Sequence, residues 1–499
     1  MAPLRCWRCL PPASGALLSI RRIAAITTIS TSTFQPFSTS CARNAYGKGA
    51  GDSKPRKGVH RVGGKSSPPS KKKKGIPPRL KVAPGDRRAF RKRITLSNIN
   101  ALPVHLETLD SKAFSSEQSV GKILALGNET LDKLRRANAF KPTQSWNMFR
   151  KPSTLVRRET VNLCSKMEKN AQENKFLRCI ISGERVAGKS MVVLQALAHA
   201  YANDWIVVNI PDGGYFLSVY MLYIDSLEAG ETTDRRQTLG YDLVISHLDY
   251  APIPNSNLWS LPTTIQGLLR QISGNSDLSK HKVVKSYPNL FPNQSPNLTL
   301  HGLANSGSSN DSWAVWQALW TELTEVPGRP PILMCLDGFA HVMRMSKYRT
   351  KQFEPIHAHD LALIKTFCDL MAGKMVPVQG GAVIGALSMS NQPMVKSVEY
   401  AVQYKEAQQV LQLPEEELPK REPYCREYDE RVDEVLREAE ILKVGGINKK
   451  EARAIMEYWA ASGMYRHKVD ERRVTETWSL GGHGIIGEME RASLRNSRI

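Results

Sequence analysis

The sequence lacks several features that membrane and secreted proteins require. No apolar run approaches the roughly 18–20 residues that cross a bilayer, so the 499-residue chain is expected to be soluble or held by a partner, with no membrane contact. Its eight cysteines form no disulfide framework, and only Cys6 and Cys9 are closely spaced, which suits a reducing compartment. Acidic residues are absent from the first 45 positions, although five arginines lie there.

Residues 1–45 are also rich in Ser, Thr and Ala. An Arg-rich, Ser-rich segment without acids is typical of a mitochondrial transit peptide. A secretory signal would need a longer uninterrupted apolar core, and an ordinary disordered tail would be expected to contain some acid. The sequence therefore predicts a transit peptide over residues 1–45 and a location in the mitochondrial matrix.

Positive charge is concentrated near the N-terminus. Residues 1–93 contain 22 Lys or Arg and two acids, so they account for +20 of the net charge of +22, and the other 406 residues are nearly neutral. Residues 46–93 combine this charge with Gly, Pro and Ser, which predicts a disordered basic arm. Such an arm can neutralise RNA backbone phosphates, although a solvated linker is the alternative. No aromatic residues interleave with its lysines to stack on bases.

A phosphate-binding motif follows the first strong strand pattern. The apolar run 176–182 ends at Gly183, where G-x-x-x-x-G-K-S begins, and an apolar helix pattern follows Ser190. This strand–loop–helix context is the one that a P-loop requires. The glycines are expected to curl the backbone so that its N–H groups face phosphate, while Lys189 reaches the β and γ phosphates and Ser190 binds Mg²⁺. The predicted nucleotide-binding residues are Gly183, Glu184, Arg185, Val186, Ala187, Gly188, Lys189, Ser190 and Met191.

The second nucleotide signature is the apolar run 330–336, which ends in Asp337. Asp337 is predicted to hold Mg²⁺ through water as a Walker B acid, and the alternative is a buried strand that enters an Asp-Gly turn. Gly338 stands where P-loop ATPases of the additional-strand class that hydrolyse nucleotide usually have a catalytic Glu. The nearby candidates His341, Glu354, His357 and Asp360 have no spacing that requires catalysis. The sequence therefore favours nucleotide binding with slow or no hydrolysis, and no catalytic residue is assigned.

Two more apolar runs, 205–210 and 382–387, predict further strands of one parallel sheet. Ser390 or Asn391 follows the second run, either as a γ-phosphate sensor or as part of a turn. The predicted fold is α/β, a P-loop NTPase of AAA-like type with a parallel sheet flanked by helices. Its predicted regions are a helical lead-in at 94–160, the nucleotide-binding domain at 161–400, and a small helical C-terminal region at 401–499 with an acidic insertion.

The identity of the base is poorly encoded. Asn448-Lys449-Lys450-Glu451 is close to the N-K-x-D element of GTPases but ends in Glu. The same residues predict a helix start, with Asn448 as N-cap and Glu451 three residues later, and a helix over 448–462. The capping interpretation is preferred, so the sequence does not distinguish GTP from ATP.

Together these segments resemble the death-associated protein 3 family, a GTP-binding component of the mitochondrial small ribosomal subunit. The similarity extends over about residues 130–495, and the combination of the P-loop with Asp337-Gly338 and a mitochondrial leader is more specific than the P-loop alone. The residues that carry it are 183–190, 205–211, 332–338, 355–364, 448–464 and 481–484, with Glu488 and Glu490.

The resemblance implies a P-loop domain that serves as a structural element of the ribosomal head. It implies ribosomal RNA and neighbouring ribosomal proteins as partners, contact with the large subunit, and bound nucleotide without an obligatory catalytic cycle. Lys189 and Ser190 would contact phosphate and Mg²⁺, and Asp337 would be the Walker B acid. Two alternatives stay open: an AAA-type mitochondrial ATPase that acts as a remodelling oligomer, and an RNA-processing factor.

Overall fold

The structure, a computed structural model, describes most of the chain after residue 93. The residues that it does not describe are 1–93, 142, 217–249, 255, 276, 293–294, 307–310, 390–392, 394, 422–423, 425–427 and 496–499. The predicted transit peptide, the basic arm and the two candidate sensor residues lie outside the described residues. No helix among the described residues is long and apolar enough to cross a membrane.

A five-stranded parallel sheet forms the centre of the protein, in the spatial order β11-β3-β10-β7-β4. Two-stranded antiparallel sheets pair β1 with β2, β5 with β6 and β8 with β9. The strands are β1 (Ile123–Ala125), β2 (Ser153–Leu155), β3 (Phe176–Gly183), β4 (Ile206–Ile210), β5 (Ala251–Pro252), β6 (Trp259–Ser260), β7 (Ile332–Asp337), β8 (Met345–Arg349), β9 (Pro355–His357), β10 (Gly381–Ala386) and β11 (Glu440–Val444).

Helices flank this sheet and continue beyond it toward the C-terminus. The α-helices are α1 (Ser111–Ser115), α2 (Asn128–Arg136), α3 (Arg158–Gln172), α4 (Lys189–Ala202), α5 (Gly213–Phe216), α6 (Pro262–Asn275), α7 (Leu300–Asn305), α8 (Ser312–Glu325), α9 (Ala362–Met371), α10 (Lys396–Gln409), α11 (Glu430–Leu436), α12 (Lys449–Ala461), α13 (Glu471–Leu480) and α14 (Ile486–Glu490). Short 3-10 turns lie at Glu117–Ser119, Trp146–Met148, Leu278–Lys280, Phe339–Val342, Ala358–Asp360 and Glu415–Glu417, and a π turn spans Arg491–Arg495.

The central strands are apolar on both sides because both faces of the sheet are covered. In β7, Ile332, Met334 and Leu336 pack into one core cluster, whereas Leu333 and Cys335 pack into the other. This alternation is the two-residue period of a strand, and burial of both faces explains why β7 and β10 read as continuous apolar runs. α3 and α4 contribute to the second cluster, and α6, α8 and α9 contribute to the first.

The sheet order places the predicted nucleotide-site segments together. β10 pairs in parallel register with β3 on one side and with β7 on the other, so that Ala386 lies opposite both Ile181 and Asp337. Because all five strands are parallel, the loop after β3 and the acid that ends β7 lie at the same edge of the sheet. Ligands bind at this carboxyl edge in open α/β sheets.

A third core cluster joins the C-terminal helices to the lead-in. Met456 and Trp459 of α12 pack with Met489 of α14 and with Leu155 of β2.

Two domain boundaries predicted from the sequence need correction. The lead-in at 94–160 contains the β1–β2 ladder as well as helices, and β11 of the central sheet lies beyond residue 400. The physical reason is that these strands are short or lie at an edge and are formed by pairing with distant residues, so they have no uniform apolar pattern.

Candidate nucleotide-binding site

The loop at residues 183–188 joins the end of β3 to the start of α4. Three of its residues have positive φ, namely Gly183 (139°), Val186 (53°) and Gly188 (102°). Backbone that alternates between helical conformations of opposite hand points successive N–H groups into a concavity that accepts anions. α4 adds the positive potential of its N-terminus. The loop therefore has the backbone form and the electrostatics that phosphate binding needs.

The two loop glycines are required for different reasons. A Cβ at Gly183 would overlap the backbone carbonyl of Val444 in the adjacent strand β11. Gly188 is the N-cap of α4 in a left-handed conformation, and the nearest atom to a Cβ there is 3.6 Å away, on Arg157. Gly183 thus permits two strands to approach closely, which motif analysis did not predict, whereas Gly188 supplies the backbone conformation.

Lys189 is folded back over its own loop. Its side-chain ammonium donates to the carbonyl oxygens of Gly183, at 2.8 Å, and Glu184, at 2.5 Å. Burial lowers the pKa of Lys189 to about 8, although the carboxylates of Asp337 and Glu184 act in the opposite direction. An ammonium held by two neutral carbonyls is available to exchange them for phosphate oxygens, which bind a cation more strongly.

Ser190 and Asp337, the two residues predicted to hold Mg²⁺, are hydrogen-bonded to each other although they are far apart in the chain. The Ser190 hydroxyl donates to Asp337 Oδ2 at 2.6 Å, and the Asp337 side chain is 6% exposed. Mg²⁺ prefers hard oxygen ligands and is usually held in nucleotide sites by one or two protein groups plus phosphates and water. The hydroxyl–carboxylate pair fits that ion, so these two residues are the ones that would hold it.

Lys141 also reaches Asp337, a contact that sequence analysis did not predict. Its ammonium forms an ion pair with the same carboxylate oxygen that accepts the Ser190 hydroxyl. Lys141 belongs to the segment between α2 and the turn at Trp146–Met148. It stands alone there, outside any recognisable motif, so only the folding of the lead-in over the sheet edge could place it in the site.

Two segments cover the P-loop. We call residues 183–191 with Asp337 the P-loop wall, and residues 138–141, 143–157 and 486–491 the covering wall. The backbone N–H of Gly487 donates to the Val186 carbonyl at 3.2 Å. Ser145 donates its hydroxyl to the Glu490 carboxylate. These contacts join α14 to the lead-in through Ser145 and to the P-loop at Val186.

Arg157, at the end of the lead-in part of the covering wall, connects it to the P-loop wall. Its side chain is 4% exposed. One guanidinium nitrogen donates to the Ala187 carbonyl at 2.8 Å. The other donates to the Gly445 carbonyl at 2.8 Å and to the Glu159 carboxylate at 2.9 Å. A planar guanidinium with several fixed donors suits such a junction, and here it links the P-loop to the residues that follow β11.

Between the walls lies a cavity of about 1470 Å³. This volume exceeds the roughly 300–1,000 Å³ of ordinary small-molecule pockets, so a nucleotide can be accommodated. Its lining combines aromatic and polar side chains of the covering wall with P-loop residues. Members of the predicted set that line it are Arg185, Val186, Gly188, Lys189, Ser190, Met191 and Asp337. Gly183 and Glu184 contact Lys189 through their carbonyls, and Ala187 is buried.

The residue after Asp337 is Gly338 rather than a glutamate. Gly338 has a φ of 77°, and a Cβ there would lie 3.3 Å from the backbone nitrogen of Gly213 and 3.4 Å from a carboxylate oxygen of Asp212. Asp212 and His341 line the cavity. Glu354, His357 and Asp360 are not among its lining residues. His341 is therefore the one sequence candidate for a base that reaches the site.

The Asn448–Glu451 element is a helix cap. The Asn448 side chain accepts from the backbone N–H of Glu451 at 2.8 Å, and the Glu451 carboxylate accepts from the backbone N–H of Asn448 at 3.0 Å. This reciprocal pair is a capping box. The preferred sequence interpretation is confirmed, and Asn448 is not among the residues that line the cavity.

Comparison with known proteins decides the family. The family model described as mitochondrial ribosomal death-associated protein 3 matches residues 154–226 and 240–492. The chain belongs to this family. The small ribosomal subunit protein mS29 of Neurospora crassa is 43% identical over 433 residues, which cover 85% of this chain and 86% of that protein. The resemblance inferred from the sequence motifs is thereby confirmed.

A solved structure, the Walker-type ATPase paby2304 of Pyrococcus abyssi, aligns with 66% of this chain and 66% of its own. The TM-score is 0.28 and the sequence identity 12%, values too low to establish a common fold. The family match contains the whole P-loop wall and Glu490 but begins at residue 154. Lys141 therefore lies outside the residues that the family model matches.

Proposed function

We propose that this protein is a structural component of the small subunit of the mitochondrial ribosome and that it holds a purine nucleotide with Mg²⁺. The ribosomal part rests on family membership and on the 43% identity to a small-subunit protein. In this assembly the protein resides in the mitochondrial matrix, where it associates with ribosomal RNA and ribosomal proteins and supports mitochondrial translation. Contact with the large subunit belongs to the same proposal.

The observation that carries the nucleotide part is the meeting of Ser190 with Asp337 at 2.6 Å beside a loop of left-handed residues. The position of β10 between β3 and β7 supports a P-loop NTPase fold of the AAA-like, additional-strand type. An ordinary buried strand that enters a turn would not need to deliver its terminal carboxylate to a serine at the start of a helix. GTP and ATP both fit the proposal.

The P-loop wall contributes three kinds of group to binding: backbone amides, an ammonium and a hydroxyl–carboxylate pair. The loop amides and the start of α4 bind phosphate oxygens, and Lys189 moves from its two carbonyl acceptors to phosphate. Ser190 and Asp337 would hold Mg²⁺, which would neutralise phosphate charge. The covering wall excludes water and binds the remainder of the nucleotide. The ligand thus links the lead-in and α14 to the sheet, which is a structural role.

Slow or absent hydrolysis follows from Gly338. In hydrolysing additional-strand ATPases a Glu at this position orients the attacking water, and Gly338 has no side chain to do so. The competing function, an AAA-type ATPase that works as a remodelling oligomer, would require a substitute base and an arginine from a neighbouring copy. Turnover in the ordinary enzyme range, on the order of 1 s⁻¹ or faster, that Lys189→Ala abolishes would favour it.

The basic arm is proposed to contact ribosomal RNA through its phosphates. Such contacts weaken steeply as salt rises because they release counterions. The folded body would supply the salt-resistant part of assembly. A variant without residues 47–93 should therefore assemble with a smaller dependence on salt than the full chain.

Sedimentation of mitochondrial lysate at low and high salt tests the ribosomal proposal. We expect the protein to migrate with the small subunit at both salt concentrations. A free or oligomeric peak would overturn that proposal and bring forward the ATPase alternative. Denaturation of purified small subunits, followed by chromatography of the released nucleotides, tests the ligand. Subunits that contain Lys189→Ala should release less nucleotide, with the Lys169→Ala variant as the control.

A further inference from the structure

Two lysines of the nucleotide site have separate partners. Lys189, the motif lysine, donates to the carbonyls of Gly183 and Glu184. Lys141, from the covering wall, pairs with the Asp337 carboxylate. Its side chain is 28% exposed, whereas that of Asp337 is 6% exposed. The carboxylate that would hold the metal is therefore neutralised by a cation from a different part of the chain.

A buried carboxylate needs such a partner. An isolated charge removed from water is strongly disfavoured, and breaking a buried ion pair leaves that cost uncompensated. Oδ2 of Asp337 already accepts the Ser190 hydroxyl at 2.6 Å. The Lys141 ammonium approaches the same oxygen. The ammonium and the hydroxyl therefore meet at one carboxylate oxygen, the oxygen nearest to both groups that would hold a metal.

We propose that Lys141 is a built-in counter-cation of the nucleotide site, which Mg²⁺ displaces when the Mg²⁺–nucleotide complex binds. This inference rests on the proposed nucleotide function. A divalent ion held at this oxygen, through water or directly, and an ammonium in contact with the same oxygen repel each other strongly. Lys141 must consequently leave Asp337 when the metal arrives, so its ion pair raises the Mg²⁺ concentration that loading requires.

Lys141 is connected by hydrogen bonds to other residues of the covering wall. The backbone N–H of Lys141 donates to the Gln144 side-chain oxygen at 2.9 Å, and that oxygen also accepts the Trp146 indole N–H at 2.6 Å. The amide nitrogen of Gln144 lies 3.5 Å from the sulfur of Met191. Movement of Lys141 therefore acts directly on a segment that already contacts the start of α4. Metal loading is coupled in this way to the covering wall.

The first test measures how much Mg²⁺ nucleotide binding requires. Fluorescent GTP and ATP analogues are titrated into the purified full chain across Mg²⁺ concentrations and in EDTA. Lys141→Met removes the charge and keeps the length, so it should lower the half-saturating Mg²⁺ concentration roughly tenfold, the factor given by about 1.4 kcal/mol. Lys141→Arg should stay near wild type, and Lys169→Met, at an exposed lysine outside both walls, is the matched control.

The outcomes separate the two proposals. An unchanged Mg²⁺ requirement in Lys141→Met overturns the displacement while nucleotide binding stands. A loss of affinity in EDTA as large as that of Lys189→Ala also overturns it, because Lys141 would then be a phosphate ligand. Wild-type protein that binds no nucleotide at any Mg²⁺ concentration overturns the proposed nucleotide site itself.

A second measurement needs no nucleotide. Thermal unfolding of the nucleotide-free protein is compared for wild type, Lys141→Met, Asp337→Asn and the double variant. Lys141→Met should lower the melting temperature because Asp337 loses its partner, and the added Asp337→Asn change should recover part of that loss. Strictly additive shifts would show that the two side chains are not coupled and would overturn the role of Lys141.

Discussion

The two walls of the cavity differ in how the chain builds them. The P-loop wall is almost entirely one short segment, 183–191, joined by Asp337 from the end of β7, which is separated from β3 by β10. The covering wall draws on the lead-in and on α14, whose Ser145 and Glu490 are bonded to each other. A wall made from one segment can be recognised in the sequence as a motif, whereas a wall made from two segments that are far apart in the chain cannot. Substitutions in the two walls should therefore have different effects on the free energy of unfolding and on nucleotide affinity.

The largest effect is expected at the junction between the walls. Arg157→Met removes a buried guanidinium and leaves the Ala187 and Gly445 carbonyls without this donor. We expect a loss of about 3–5 kcal/mol in the free energy of unfolding, as for a broken buried ion pair. Urea unfolding measures it. The exposed neighbour Arg158 gives the control, because Arg158→Met should cost no more than about 0.5 kcal/mol.

Equal stability of the two arginine variants would mean that Arg157 does not hold the walls together. A lower unfolding free energy for Arg157→Met alone, restored in part by saturating nucleotide, would sharpen the comparison. Binding to the folded state stabilises it by mass action. The ligand would then be doing part of the work of the missing guanidinium.

The next effect isolates the P-loop wall. Lys189→Ala should weaken nucleotide binding roughly hundredfold, since it removes charge-assisted hydrogen bonds to phosphate that are worth about 1.5–3 kcal/mol each. The folded state should not be destabilised, because burial already lowers the pKa of Lys189 and disfavours its charge. Equilibrium titration and urea unfolding measure the two quantities. Normal affinity in this variant would exclude the P-loop as the phosphate site.

A smaller effect is expected where the covering wall touches the loop. A Cβ at Gly487 would lie 2.6 Å from the Cβ of Val186, so Gly487→Ala should cost about 1–3 kcal/mol through overpacking. The same variant should weaken nucleotide binding. Gly445→Ala is the matched control, because nothing lies within 4 Å of a Cβ there. If both substitutions are neutral in urea unfolding, α14 does not press on the loop.

The smallest effect tests the helix cap outside both walls. Asn448→Ala removes the side-chain acceptor of the capping box and should lower the free energy of unfolding by about 1 kcal/mol. Nucleotide affinity and the preference between GTP and ATP should not change. A selective loss of GTP binding would reverse the assignment and make Asn448 a base-recognition residue after all.

The strands that carry the motif were predictable because their burial is uniform. β7 and β10 are buried at every residue, so their sequences are continuous apolar runs. β11 is an edge strand with exposed Glu440 and Lys443, and its mixed pattern did not identify it. The helix predicted over 448–462 is observed as α12, Lys449–Ala461.

By itself the sequence determined where the P-loop motif lies between β3 and α4, which acid ends β7, and the family. These features depend on residues that are adjacent in the chain or on the apolar pattern of a fully buried strand. Tertiary structure alone decided that Lys141 neutralises Asp337, that Arg157 joins the loop to the end of β11, and that α14 covers Val186. Each of these contacts joins single residues tens to hundreds of positions apart. Their geometry exists only once the lead-in and the C-terminus have packed onto the sheet edge.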